Sequence, residues 1–159
     1  MPLTQRKTPD MKKALFPGTF DPFTLGHKDI VDRALKSVAD EVVIAVGHNR
    51  DKHCRQTVEQ RLESIRRLYE GNSRVKVIAY EGLTTDTARQ VGADFLLRGV
   101  RSLKDFEYER DIAETNRLLS GIETVLLYTE PRLSHISSSI VRELEYYGHD
   151  ASAFLPKIQ

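Results

Sequence analysis

The sequence is poor in the features that mark secreted, membrane-spanning or nucleic-acid-binding proteins. Its 159 residues include one cysteine, Cys54, and no tryptophan. A single cysteine cannot form an internal disulfide, which favours a reducing, cytoplasmic location over secretion. No apolar run approaches the ~20 residues of a membrane-spanning helix. The formal net charge is +1, so there is no basic excess for nucleic acid and no acidic tail for a basic partner.

The amino-terminal residues also lack the apolar segment of a signal peptide. Residues 1–10 are polar and contain two prolines, and we interpret them as a flexible extension. A chain of this length is long enough for one domain with a real core. We place that single domain at residues 11–159.

Strand-like and helix-like segments alternate through the whole domain. Apolar and β-branched runs predict strands at residues 13–16, 41–47, 74–80, 93–98 and 123–129. Apolar residues at helical spacing predict helices from His27 onward, from Thr57, and over residues 85–91, 104–119 and 137–147. Thr57 and Gln60 have the spacing of a capping box. The alternation predicts a doubly wound, Rossmann-like α/β sandwich with a five-stranded, mostly parallel sheet.

The first polar loop follows the first strand, and ligands of such folds bind at the carboxyl ends of strands. Its sequence, FPGTFDPFTLGH at residues 16–27, contains neither a Walker A motif nor a G-x-G-x-x-G motif. Gly26 and His27 lie at a predicted helix N-terminus, where free backbone N–H groups favour anions. The loop is therefore a candidate phosphate site. The alternative is that His27 is an ordinary first-turn histidine.

Later loops carry cations and hydroxyl groups that also suit phosphates. Lys52 follows the second strand, Arg98 and Arg101 follow the fourth, and Ser137–Ser139 open the last helix. The alternatives are a solvated lysine, a surface ion pair and simple helix capping. No closed four-ligand metal pattern is formed by the neighbours of Lys52, which are Asp51, His53 and Cys54.

Two stretches together resemble the bacterial phosphopantetheine adenylyltransferases of the nucleotidyltransferase superfamily. They are GTFDPFTLGH at residues 18–27 and ISSSIVRE at residues 136–143, with RGVRSLKDFEYE at residues 98–109 between them. The resemblance extends from Met11 to Pro156. Adenylyltransferases acting on pyridine mononucleotides have H-x-G-H where this chain has Thr24-x-Gly-His.

The resemblance implies a reaction and its partners. AMP passes from ATP to 4′-phosphopantetheine, which gives dephospho-CoA and pyrophosphate in the penultimate step of coenzyme A biosynthesis. Mg²⁺ accompanies ATP, the assembly is a homohexamer, coenzyme A is a feedback inhibitor, and no nucleic acid or membrane takes part. The alternatives are a related transferase with another acceptor and a non-catalytic nucleotide- or CoA-binding module.

The resemblance also assigns residues. The catalytic set, which holds the reacting phosphates, is Thr19, His27, Lys52 and Arg98. The ATP-binding set contains Thr19, Phe20, His27, Gly99, Val100, Arg101, Glu109, Leu133, Ser134, His135, Ile136, Ser137, Ser138 and Ser139. The acceptor-binding set contains Thr19, Lys52, Thr84, Arg98 and Asn116.

Overall fold

The computed structural model describes residues 10–49 and 51–158. The predicted flexible extension lies outside the described residues, apart from Asp10. Five strands alternate with five α-helices in this part of the chain. The strands are β1 (Lys13–Gly18), β2 (Glu41–Gly47), β3 (Val75–Tyr80), β4 (Phe95–Val100) and β5 (Glu123–Tyr128). The helices are α1 (Leu25–Ser37), α2 (Val58–Leu68), α3 (Thr84–Val91), α4 (Leu103–Ser120) and α5 (Ser138–Tyr146).

The strands form one sheet in the order β3-β2-β1-β4-β5, and each neighbouring pair is parallel. This confirms the predicted doubly wound α/β fold. The chain moves outward from β1 to β3 and then returns to the other side of β1 with β4. The strand order therefore reverses between β1 and β4, which is where ligands bind in open α/β sheets.

Two predicted boundaries differ in ways that matter for the site. The fourth strand was predicted to end at Arg98, but β4 continues through Gly99 and Val100, which pair with β5. The first helix was predicted from His27 onward, but α1 begins at Leu25, after the N-cap residue Thr24. Arg98 is therefore a strand residue, and His27 lies in the first helical turn.

A crevice opens between β1 and β4 at the carboxyl edge of the sheet. These strands pair at Ala14 and Leu15 of β1, and Pro17 has no backbone N–H with which to extend the ladder. Arg98 crosses the gap, because its Nη1 donates a hydrogen bond to the Pro17 carbonyl oxygen at 2.5 Å. The guanidinium group of Arg98, a residue of β4, thus lies in the crevice and is bonded to β1.

The core covers both faces of the sheet. On one face, Ile30 and Val31 of α1 and Ile65 of α2 join a cluster with the sheet residues Phe16 and Ile44. On the other face, Ala88 of α3 joins Leu15, Val43, Ala45 and Leu96. In the described part of the chain, no helix is long and apolar enough to cross a bilayer.

Candidate active site

Two cavities lie at the carboxyl edge of the sheet and share one wall. Cavity A, about 630 Å³, lies among the loops after β2 and β3 and one face of α4. Cavity B, about 600 Å³, lies among the first turn of α1, the end of β4 and the first turn of α5. The wall that both cavities share is formed by Pro17, Gly18, Thr19, Lys52, Arg98 and Glu109. The whole predicted catalytic set therefore meets here, since His27 lines cavity B beside this wall.

His27 is held in one orientation by a backbone group and three aromatic rings. The Thr24 backbone N–H donates a hydrogen bond to His27 Nδ1 at 2.9 Å. The ring of Phe20 lies edge-on to the imidazole, with centroids 5.0 Å apart, and those of Phe23 and Phe16 lie 5.3 and 6.3 Å away. Because Nδ1 accepts a hydrogen bond, the neutral ring carries its proton on Nε2.

The surroundings of His27 also keep the imidazole uncharged. Burial lowers its pKa from 6.5 to about 3, and the positive charges of Arg98 and Arg101 add to the effect. Burial disfavours the charged form of histidine, and nearby cations do the same. In the unliganded protein His27 is therefore a neutral hydrogen-bond donor through Nε2.

Thr24 contacts His27 Nδ1 through both its backbone N–H and its side-chain hydroxyl. Thr24 is also the residue that separates this chain from the adenylyltransferases acting on pyridine mononucleotides, which have histidine at that position. Its side chain is 2% exposed, and its Oγ1 lies 3.2 Å from His27 Nδ1. Thr24 lines cavity B, next to the histidine that it orients.

Gly26 leaves open space on the side of cavity B. A Cβ atom added at Gly26 would have Thr24 Oγ1 at 3.6 Å as its nearest neighbour, which is ordinary contact. Packing within the protein therefore does not require glycine at this position. Close approach of a ligand to the backbone of the first helical turn supplies a reason for it.

Arg98 and Glu109 form a two-pronged ion pair in the shared wall. Arg98 Nε and Nη2 donate to the two carboxylate oxygens of Glu109 at 2.9 and 2.7 Å. The Glu109 side chain is 7% exposed and that of Arg98 is 31% exposed. The sequence left open whether Arg98 binds a phosphate or forms a surface ion pair. An ion pair is present, but it is largely buried. Arg98 also lines both cavities, so it remains available to a phosphate.

Arg101 joins the end of β4 to the loop before α5. Its Nε lies 3.2 Å from Asp105 Oδ2, and its Nη1 donates to the Ile136 carbonyl oxygen at 3.2 Å. Arg101, Asp105 and Ile136 all line cavity B. The two acidic side chains that line cavity B, Asp105 and Glu109, are thus both paired with arginine.

The serine run lines cavity B, but its hydroxyl groups already have partners. Ser137 is the N-cap of α5 and accepts from the Ile140 backbone N–H at 3.2 Å. Ser138 Oγ donates to the Pro22 carbonyl oxygen at 2.8 Å, and Ser139 Oγ accepts from Arg142 at 3.2 Å. Capping therefore accounts for one serine, as the alternative interpretation had it. What α5 offers to an anion is the backbone N–H groups of Ser138 and Ser139, the first-turn groups that the Ser137 cap leaves without an intrahelical acceptor.

The remaining predicted residues divide into those beside a cavity and those away from both. Thr84 and Asn116 line cavity A, and Phe20 and Gly99 line cavity B. The lining of the two cavities does not include four predicted ATP-binding residues, all of them in the described part of the chain: Val100, Leu133, Ser134 and His135. Val100 is 5% exposed because it is part of β4, and the other three belong to or follow a short 3₁₀ turn at Pro131–Leu133.

Two buried charged residues beside the site were not predicted. Arg61 is 2% exposed, and its Nη1 donates to the Thr19 and Gly47 carbonyl oxygens at 2.5 and 3.1 Å. Asp21 is 3% exposed and accepts two backbone N–H groups from the loop before α2. The sequence offered one signal for Asp21, which is a charged residue in an otherwise uncharged loop. It offered no signal for Arg61, because the acceptors of Arg61 are backbone carbonyl groups.

Comparisons with known proteins decide the family. Residues 15–144 match the family model described as cytidylyltransferase-like. A phosphopantetheine adenylyltransferase of Bacteroides thetaiotaomicron is 54% identical over 147 residues, which covers 92% of this chain and 97% of the relative. One from Porphyromonas gingivalis is 56% identical over 149 residues with the same coverage. The chain belongs to the phosphopantetheine adenylyltransferase family.

Membership confirms the predicted family and places the chain among the nucleotidyltransferases of coenzyme A biosynthesis. A solved structure, that of a lipopolysaccharide core biosynthesis protein from Thermoplasma volcanium, has a TM-score of 0.54 and 22% identity. The match covers 76% of this chain and 97% of the other. At that identity the likeness concerns the fold, which agrees with the parallel sheet described above.

Proposed function

We propose that this chain transfers AMP from ATP to 4′-phosphopantetheine, with ATP in cavity B and the acceptor in cavity A. The observation that carries the proposal is the wall common to the two cavities. Thr19, Lys52 and Arg98 stand in that wall, and His27 adjoins it. A phosphate in each cavity would contact the same cations and donors, so the two phosphates would meet where the cavities adjoin.

The chemistry needs positioning and charge stabilisation more than a protein nucleophile. An oxygen of the acceptor phosphate attacks the α-phosphorus of ATP, the new P–O bond forms, and the bond to pyrophosphate breaks. Negative charge grows on the α-phosphate oxygens and on the leaving pyrophosphate. Neutral His27 donates its Nε2 proton in a hydrogen bond to this charge, while Lys52 and Arg98 neutralise the two reacting phosphates.

Cavity B suits the triphosphate of ATP. Gly26 lets phosphate oxygens approach the backbone of α1, and the first turn of α5 presents further N–H groups. Arg101 supplies a positive charge on the same side. Gly99 and Ile136 line the cavity as well, so the nucleotide would lie against the end of β4.

Cavity A suits a phosphate joined to a long arm of mixed polarity. Ile112 and Ala113 of α4 offer apolar contact, and Asn116 offers an amide on the same face. Thr84 lies across the cavity, with its Oγ1 3.4 Å from the Tyr80 hydroxyl oxygen. These groups match a pantetheine arm, which alternates amides with short hydrocarbon segments.

We propose that Mg²⁺ arrives with ATP and is held by the nucleotide's phosphates. Within residues 10–49 and 51–158 there is no group of three or more histidine, cysteine, aspartate or glutamate side chains that could hold a metal ion. Mg²⁺ is often held by substrate phosphates with few protein ligands, and bound to ATP it would supply charge neutralisation to the leaving pyrophosphate.

Assembly, regulation and location stay predictions, which rest on the family resemblance, on the pantetheine arm shared with coenzyme A and on the single cysteine, respectively. They are a homohexamer, a cytoplasmic location and feedback inhibition by coenzyme A. Coenzyme A carries the same pantetheine arm as the acceptor, so it would compete for cavity A. A competition experiment with 4′-phosphopantetheine tests this regulation.

Pyrophosphate release in the presence of Mg·ATP tests the proposed function. We expect release with 4′-phosphopantetheine and none with nicotinate mononucleotide. Release with nicotinate mononucleotide alone would identify a related transferase with another acceptor. Binding of ATP without release from either acceptor would identify a non-catalytic module.

A further inference from the structure

Asp21 joins the two loops that carry Thr19 and Lys52. Its Oδ2 accepts from the Arg55 backbone N–H at 2.7 Å, and its Oδ1 accepts from the Gln56 backbone N–H at 3.0 Å. The side chain is 3% exposed, and buried hydrogen bonds to a charged acceptor are strong. One carboxylate thus fixes two consecutive peptide groups, those of Arg55 and Gln56, which lie 34 and 35 residues away in sequence.

The loop held by Asp21 is the one that presents Lys52. It runs from Gly47 at the end of β2 to Thr57, the N-cap of α2. Lys52 lies three residues before Arg55, and its own backbone N–H donates to the Asn49 carbonyl oxygen at 3.1 Å. A local turn, the bonds to Asp21 and the ion pair of Arg55 with Glu145 of α5 therefore all hold the loop that carries Lys52.

The loop that contains Asp21 is itself fixed. Arg142 of α5 donates to the Asp21 carbonyl oxygen at 2.7 Å, and Ser138 donates to the neighbouring Pro22 carbonyl oxygen at 2.8 Å. Thr19, two residues before Asp21, is held through its carbonyl oxygen by Arg61. The Asp21 carboxylate therefore ties the Lys52 loop to an anchored segment.

We infer that Asp21 is a positioning residue for the reaction: its carboxylate sets the distance between Lys52 and Thr19 across the shared wall, and it acts through Lys52. This inference rests on the proposed function, because Lys52 matters only where two phosphates react. Asp21 itself lines neither cavity, so it would act without touching either substrate.

A double-mutant cycle with Asp21→Asn and Lys52→Ala tests whether Asp21 acts through Lys52. Asparagine keeps the size of the side chain but offers one acceptor oxygen to the two N–H groups. We expect Asp21→Asn to lower kcat about tenfold with little change in KM, and Lys52→Ala to lower kcat about 100-fold. The double variant should match Lys52→Ala within about twofold, since interacting residues are not additive. Multiplication of the two losses, or an unchanged kcat in Asp21→Asn, overturns the inference.

Asp40→Asn is the control, at an exposed aspartate. The Asp40 carboxylate also accepts a backbone N–H, that of Lys12 at 2.7 Å, but at the opposite edge of the sheet. We expect wild-type kcat in this variant. A tenfold loss in Asp40→Asn would show that such losses reflect general destabilisation, and would overturn the inference.

Amide hydrogen exchange separates this inference from the proposed function and needs no active variant. In the wild-type protein we expect the Arg55 and Gln56 amides to exchange slowly. Fast exchange at both amides overturns the inference even if Asp21→Asn does not fold. Absence of pyrophosphate release by the wild-type protein, with both amides protected, would instead contradict the proposed function.

Discussion

The Thr24 backbone N–H donates to His27 Nδ1 at 2.9 Å, which fixes both the orientation and the protonation of the catalytic candidate. The N-terminus of α1 thus presents backbone N–H groups that suit an anion, and it directs the Nε2 proton of His27. Burial among three phenylalanines keeps that imidazole neutral. A neutral donor avoids the cost of a buried cation beside Arg98 and Arg101.

The first prediction concerns the pH dependence of stability. The pKa of His27 is about 3 in the folded protein, against 6.5 as the ordinary value. Between these values the unfolded chain binds more protons, so the free energy of unfolding falls as pH drops from 6.5 toward 3, by at most ~1.4 kcal/mol per pH unit. Urea unfolding at pH 5 and pH 7 measures this slope. His27→Gln should have a shallower slope, and identical slopes would contradict the lowered pKa.

The second prediction concerns Gly26→Ala. The added methyl group has room within the protein, and alanine in a helix is favoured over glycine by about 0.5–1 kcal/mol, so the melting temperature should not fall. ATP affinity should drop at least tenfold, because the methyl group occupies the approach to the α1 backbone. Calorimetric titration with ATP and thermal unfolding measure both effects.

Gly99→Ala is the contrasting variant for stability. Its Cβ would lie 3.0 Å from Ile30 Cγ1, so we expect a lower melting temperature from crowding in the core.

If Gly26→Ala bound ATP as tightly as the wild-type protein, phosphate would not approach the backbone at that position.

The third prediction separates the two cavities. Asn116 lines cavity A and not cavity B, so Asn116→Leu should raise KM for 4′-phosphopantetheine and leave KM for ATP unchanged. Loss of one net hydrogen bond, about 0.5–1.5 kcal/mol, corresponds to a rise of roughly 2- to 13-fold. Steady-state kinetics with each substrate varied in turn measure the difference. An equal change in both KM values would show that the cavities do not hold separate substrates.

The fourth prediction concerns the Arg98–Glu109 pair. Removing one partner of a fully buried pair costs about 3–5 kcal/mol. Since Arg98 is 31% exposed, water weakens the effect, and we expect Glu109→Gln to cost about 2 kcal/mol. That loss lowers the melting temperature by about 4–8 °C.

The double variant Arg98→Met/Glu109→Met is the control for this pair. It leaves no unpaired charge, so it should be more stable than Glu109→Gln while transferring no AMP at a measurable rate. A wild-type melting temperature in Glu109→Gln would show that the pair contributes nothing to the fold.

Local patterns in the sequence were enough to predict the sheet and most helix starts. The capping box at Thr57 and Gln60 is present, with both reciprocal hydrogen bonds. The second strand runs over Glu41–Gly47 as predicted, because continuous apolar runs are typical of strands buried on both faces. These features depend on neighbours within a few residues, which is why the sequence alone reveals them.

Features that depend on distant partners were missed. No sequence signal marked Arg61 of α2, although it is nearly as buried as Ile65, because its carbonyl partners lie in other parts of the chain. The bonds from Asp21 reach residues 34 and 35 positions away. The end of β4 was placed too early, since its pairing with β5 extends a strand through Gly99, a residue of low strand propensity.

The value of kcat for dephospho-CoA formation by His27→Ala, compared with that of the wild-type protein, tests the catalytic role of His27. Loss of one preorganised donor to a transition-state oxyanion typically costs about 10²–10³ in kcat. We predict a fall of that size with ATP affinity within a few-fold of wild type and a folded protein by circular dichroism. An unchanged kcat would show that His27 is an ordinary residue of the first turn of α1 and has no part in the transfer of AMP.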